Sequence, residues 1–167
     1  MTNLLNSIAT VDAHFKKFTV YFPYVIRDGE RPDTIAYDYY GNSDYAWLVL
    51  LSNQIVDPYY QWPLTQQQFY DYLYSKYGQL HELKSVVSHY VYTGVGGNTD
   101  DDLGRIKYAM SVTTYNNSTA EQQSGWTPVY KFDYELALND ARRKIRLLSS
   151  DYIKQVDREL SVIFNAQ

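Results

Sequence analysis

The amino-acid sequence predicts an α+β protein: a strand-helix-helix core at residues 18–64 behind an N-terminal helix at 1–17, then a helix and β-rich extension with a flexible loop at 65–132, and a C-terminal helical pair at 133–167. Three observations predict it. The helical segments between Arg31 and Leu64 are cut short by Pro and Gly, so they cannot bury their apolar faces on each other and need strands or neighbours to pack on. Phe18–Ile26 has the β-branched and aromatic content of such a strand. Leu138, Ala141, Ile145 and Leu148, then Ile153, Val156, Leu160 and Ile163, recur at helical spacing on either side of Ser149-Ser150, which gives two consecutive amphipathic helices.

Each element follows from local signals. Leu4, Leu5, Ile8, Val11 and Phe15 share one helical face, hence the helix at 1–17. Pro23 removes a ladder donor and confines the Phe18–Ile26 strand to an edge or splits it into two extended pieces. In the next helix Pro32 suits the entry, Asp33 or Thr34 supplies a capping oxygen, and Gly41 permits the left-handed residue that ends it. Asn42 or Ser43 caps a second helix carrying Tyr45, Trp47, Leu48 and Leu51, stopped by Asn53 and Pro58. Trp62-Pro63 reads as a rigid, buried corner. Thr65 and Gln68 make a capping box for a helix through Phe69, Tyr72, Leu73 and Lys76 that Gly78 ends. Leu80–Leu83 is a further turn and Val86–Tyr92 a strand. Gly94–Asp102 is a flexible acidic loop, Arg105–Tyr115 a strand and Asn116–Gly125 a polar linker, together a projecting hairpin against which Trp126–Phe132 pairs back.

Composition excludes several functions. At 167 residues the chain holds one ordinary core with a small second lobe. A net charge of −4 opposes a surface that coats nucleic acid. Without a single Cys there is no disulfide framework, thiolate metal site or cysteine nucleophile. The opening residues carry no basic stretch ahead of an apolar run, and nowhere do about 18 apolar residues follow one another, so neither general export nor membrane insertion is expected. The 19 Tyr, with three Trp and six Phe, point to half-buried rings and contacts with other proteins.

The stretch Arg31–Leu64 also resembles a known module. Asp33, Thr34, Ile35, Ala36, Tyr40, Gly41, Trp47, Leu48, Leu51, Asn53, Ile55 and Pro58 follow the text of the LysM module, which implies a LysM-like order of strand, helix, helix and second strand. Where that module has its second strand, this chain runs Tyr59-Tyr60-Gln61-Trp62-Pro63-Leu64 into another helix. The combination of Pro-Asp-Thr-Ile-Ala, Tyr-Gly, the Trp-led helix, Asn-x-Ile-x-Asp-Pro and Trp-Pro-Leu, with Tyr134–Leu148, is similar to the baseplate wedge protein 53 family of contractile-tailed bacteriophages.

No catalytic, metal or cofactor site is predicted. His14, His81 and His89 are too far apart for a ligand pair on one helix, and Asp100-Asp101-Asp102 lacks the rest of a calcium loop. Gly94-Val95-Gly96-Gly97 has no Lys-Ser/Thr after it, so it fails as a phosphate cradle. The basic run Arg142, Arg143, Lys144 and Arg146 is either a solvated helix face or a set of guanidinium forks for carboxylates of an adjacent subunit. Tyr59, Tyr60 and Trp62 would either stack on a sugar or anchor a protein contact, and the second reading is preferred. The expected partner-binding residues are thus Tyr59, Tyr60, Trp62, Arg142, Arg143 and Arg146. The resemblance implies a structural subunit, not an enzyme, located in the virion and assembled in the host cytoplasm. Its partners would be other wedge and hub-proximal tail proteins, in multiple copies around a sixfold plate. The alternative is a LysM-type module that binds peptidoglycan.

Overall fold

The computed structural model describes residues 21–93 and 108–158. The expected helix at 1–17, the loop at 94–102 and the stripe positions Leu160 and Ile163 lie outside them. The class is α+β. In chain order the elements are β1 (Tyr21–Val25), α1 (Pro32–Tyr40), α2 (Ala46–Ser52), α3 (Pro58–Gln61), α4 (Gln66–Tyr77), β2 (Val87–Tyr92), β3 (Ala109–Ser111), α5 (Val112–Asn116), α6 (Ala120–Gln123), β4 (Trp126–Tyr130), α7 (Lys131–Arg143) and β5 (Lys144–Leu148), followed by helical residues 153–158. The chain divides into two compact units, one within Met1–Pro63 and Arg142–Gln167 and the other spanning Leu64–Ala141.

In the first unit β1 pairs antiparallel with β5, from Tyr21 opposite Leu148 to Val25 opposite Lys144. This corrects the expectation of an unbroken helix through Ile145 and Leu148. Lys144 and Arg146 are exposed while Ile145 and Leu147 are buried, the two-residue alternation of a strand with one face on the core. Pro23 lies opposite Arg146, whose own N–H and C=O both go to Asn53 rather than across the ladder. The pair is therefore a non-hydrogen-bonded one, and proline costs the sheet no bond there. α1 and α2 cover the strand pair. Ile26, Ile35, Ala36, Val49, Ile145 and Leu147 form one buried cluster, and Leu48, Leu148 and Val156 another. The phenol of Tyr40 donates to Leu148 O at 3.0 Å, and burial drives its pKa well above the ordinary value.

Capping differs in one place from the expectation. Neither Asp33 nor Thr34 caps α1: its N-cap is Arg31, which makes no side-chain cap bond, and Pro32 in the first turn has no N–H to satisfy. Asp33 instead sits in that first turn, where its charge complements the helix dipole, and accepts from Arg31 Nε at 3.1 Å. Asn42 does cap, accepting from Asp44 N to start the 3₁₀ turn Ser43–Tyr45 that leads into α2. Gly41 ends α1 at φ 79°, with its N–H on Tyr37 O. A Cβ there meets nothing within 4 Å. Gly41→Ala should therefore cost only the left-handed backbone penalty, about 1 kcal/mol, read as a shift of the denaturation midpoint with unchanged slope.

The second unit is built on α4, whose N-terminus has the expected capping box between Thr65 and Gln68 and whose C-cap is Gly78 at φ 83°. Phe69, Leu73 and Leu83 are its buried cluster, with Phe132 and Leu80 packed against them. β2 is the middle strand of an antiparallel sheet between β3 and β4. The expected strand Arg105–Tyr115 is described from residue 108 and is extended only at Ala109–Ser111. Ser111 Oγ then accepts from Thr114 N and turns the chain into α5. Within the polar linker, Thr119 and Gln122 form a second capping box and nucleate α6. The expected strand from Trp126 is extended over Trp126–Tyr130 and pairs with β2, and helix α7 starts at Lys131 rather than Tyr134. Asn139 Oδ1 accepts from Leu64 N at 2.8 Å and its Nδ2 donates to Leu64 O at 3.1 Å, which ties the two ends of the unit together.

Candidate functional site

The site grows out of the way α2 ends. Asn53 donates through Nδ2 to Val49 O at 2.8 Å and to Arg146 O at 2.9 Å, while its Oδ1 accepts from Arg146 N at 2.9 Å. One amide thus closes the helix and pairs with the outer edge of β5. Gln54 follows at φ 56°, the only non-glycine residue with positive φ among the described residues. Asp57 then caps α3 by accepting from Tyr59 N, and Gln61 Oε1 accepts from both Val56 N and Asp57 N at 2.8 and 2.9 Å. Three side-chain bonds across six residues hold the turn in one shape.

That turn presents large apolar groups to solvent. Val56 and Tyr59 are each 81% exposed and Tyr60 is 69% exposed. The two tyrosine rings meet edge to face, 4.9 Å apart at 83°. Trp62 points the other way. It is half-buried against the first cluster and its Nε1 donates to Glu30 O at 2.9 Å, and Pro63 behind it is buried, so the pair is the rigid corner expected.

Beside Tyr60 runs an open groove of about 350 Å³, lined by Asn53, Gln54, Ile55, Gln61, Arg142, Lys144 and Ile145. The basic run does not share one helix face, because Lys144 and Arg146 belong to β5. Arg143 donates to Asp28 Oδ1 at 3.0 Å and to Ile26 O. Arg146 places its guanidinium 4.7 Å from the Tyr21 ring centre and donates through Nε to Ser52 O. Both therefore stabilise their own unit. Arg142 and Lys144 are exposed and have no carboxylate partner among the described residues. Of the residues singled out in the sequence, Tyr60 and Arg142 line the groove, Tyr59 stands beside Tyr60, and Trp62, Arg143 and Arg146 are engaged internally. Sequence reasoning missed Asn53 and Gln54 as site residues. The signal available was a polar Asn-Gln pair directly after an apolar helix, where a capping amide is needed.

A second polar cluster, in the other unit, was not foreseen at all. Glu135 is 5% exposed and accepts from Tyr77 Oη at 2.6 Å, Lys76 Nζ at 2.8 Å and Tyr72 Oη at 3.2 Å. Burial pushes its carboxyl pKa up, yet the hydrogen bonds from Lys76, Tyr77 and Tyr72 outweigh that and leave it below the ordinary value. Lys76 is held above its ordinary value by the bonds to Glu135 and Tyr72. A carboxylate kept ionised against a lysine is a structural ion pair, with no acid poised for proton transfer. His89 packs edge to face on Tyr134 and burial lowers its pKa. Among the described residues no three His, Asp or Glu side chains converge as metal ligands would. His14, Gly94–Gly97 and Asp100–Asp102 lie outside them.

Comparison with known proteins places the chain in a family. The baseplate wedge protein gp53 of Enterobacteria phage T4 is 37% identical over 54 residues, which is 32% of this chain and 28% of that protein. The aligned part thus spans less than a third of the T4 protein. The model of the family described as base plate wedge protein 53 matches residues 2–161, nearly the whole sequence. The chain belongs to the base plate wedge protein 53 family.

Proposed function

We propose that this chain is a structural subunit of a phage tail baseplate wedge, which joins wedge proteins and adjacent wedges around the tail hub through protein–protein contacts. Its place is the virion, in several copies per sixfold plate. The observation that carries this reading is the turn Val56–Gln61. Three exposed apolar side chains on a backbone locked by Asp57 and Gln61 lose little entropy when they are covered, which is the economy of an interface anchor. The same geometry suits sugar poorly. Two rings at 83° give no common face for a pyranose, and the Trp62 indole is already committed to Glu30.

The test is complementation of a phage lacking this protein with Tyr59→Ser plus Tyr60→Ser. Both positions are exposed, so thermal stability should stay within about 0.5 kcal/mol of the parent. Baseplates counted by electron microscopy should fall more than about tenfold, the loss set by removing one interface anchor. Normal plate numbers, or retention of the purified chain on peptidoglycan that these substitutions abolish, would overturn the reading in favour of a wall-binding module.

A further inference from the structure

The groove beside the aromatic turn carries a charge that no ion pair neutralises among the described residues. Of the four cations between positions 142 and 146, Arg143 and Arg146 are spent on Asp28, Ile26 O and Ser52 O, which leaves Arg142 and Lys144 to line the groove. Among the described residues no carboxylate lines it. Two of the three lining amides offer it no free acceptor. Asn53 has all its polar atoms engaged, and the Gln61 carbonyl is filled by two backbone N–H groups, so Gln61 has only N–H left to offer. In a chain of net charge −4 this is a local positive island weighted toward donors.

Two further features narrow the ligand. Ile55 and Tyr60 line the groove on the side that continues into exposed Val56 and Tyr59, so an occupant meets cations and apolar surface together. Gln54, also lining it, holds a left-handed backbone that glycine would adopt at less cost, and strain of this kind is retained where a side chain is used. A bare anion such as phosphate would leave the apolar flank uncovered. A guanidinium beside an ammonium with an aromatic flank instead matches a carboxylate side chain next to an apolar one.

We propose that this groove receives an acidic polypeptide segment of a neighbouring subunit, with its Asp or Glu carboxylates on Arg142 and Lys144 and an apolar side chain against Ile55 and Tyr60. The inference rests on the assembly role proposed above and names the partner chemistry of that site. The probe is a short labelled peptide of Asp, Glu, Gly and Leu, titrated into the full chain by fluorescence anisotropy beside the same peptide with Asn and Gln in place of the acids. The acidic peptide should bind and the neutral one should not. High salt, Arg142→Gln plus Lys144→Gln, and Tyr60→Ala should each weaken binding about tenfold or more. No binding, equal binding of the neutral peptide, or displacement by inorganic phosphate or a chitin tetrasaccharide would overturn the proposal. Plate assembly separates this failure from that of the broader reading. If the Arg142→Gln, Lys144→Gln variant builds normal plates while the Tyr59, Tyr60 variant does not, the assembly role stands and the acidic partner falls.

Discussion

Asn53→Ala is expected to lower folding stability by about 3 kcal/mol, an unusually large loss for a partly exposed polar residue. The side chain makes three hydrogen bonds, to Val49 O, Arg146 O and Arg146 N, and truncation leaves a helix-terminal carbonyl and both peptide groups of one β5 residue without partners. Water reaches the site only partly, so replacement bonds recover a fraction of the loss. The same change should speed amide exchange at Arg146 by about a hundredfold, since that N–H is held by Asn53 and not by β1. Asn53→Asp provides the sharper control. It keeps the acceptor but loses both donations and sets a negative charge at the C-terminus of α2, where the dipole already disfavours one. Asp should therefore rescue little, and a near-wild-type Asp variant would mean that Asn53 does not clamp β5.

The contrast between β1 and β5 shows what was legible in the sequence. Signals that act within a few residues were readable, because their partners are near in the chain: Gly41 ending α1, Thr65 with Gln68 opening α4, and Pro23 marking an edge. β5 was not. Lys144-Ile145-Arg146-Leu147-Leu148 follows directly on α7, and Arg, Lys and Leu favour helix when nothing else decides. What decides is Tyr21–Val25, a strand more than a hundred positions earlier, whose pairing no local pattern announces. The site divides along the same line. Tyr59, Tyr60 and Arg142 stand exposed at the surface, whereas the fates of Arg143 and Arg146 hang on Asp28 and Ser52, which only the tertiary fold brings near. For Gln54 the polar pair after an apolar helix was the signal available, but its left-handed backbone was not legible, since nothing in a glutamine announces a positive φ.

In the second unit the largest pH-dependent effect is expected from Glu135→Gln, which should cost about 2 kcal/mol near neutral pH. Glutamine keeps one oxygen for Tyr77 and Lys76 but replaces the ion pair with an ion–dipole contact, and turns an amide N–H toward Tyr72, whose hydroxyl already accepts from Lys76 and loses its own acceptor. The figure stays moderate because Lys76 is 44% exposed and regains water once its partner is gone. The folded pKa of Glu135 is depressed, so its stabilisation is fully present above the unfolded value of 4.5 and is lost as pH falls through the lower, folded one. Lys76 has a raised folded pKa, so its share is full below 10.5 and disappears as pH rises beyond that. The difference between parent and variant should therefore be level between these limits and shrink at both ends, measured by urea unfolding across the pH range. Lys76→Met should flatten the acid limb, since without the ammonium the burial of Glu135 opposes the depression that Tyr72 and Tyr77 still favour. A parent-minus-Glu135→Gln difference that stayed constant down to strongly acidic pH would place the stabilisation in packing and remove the ion pair from the account.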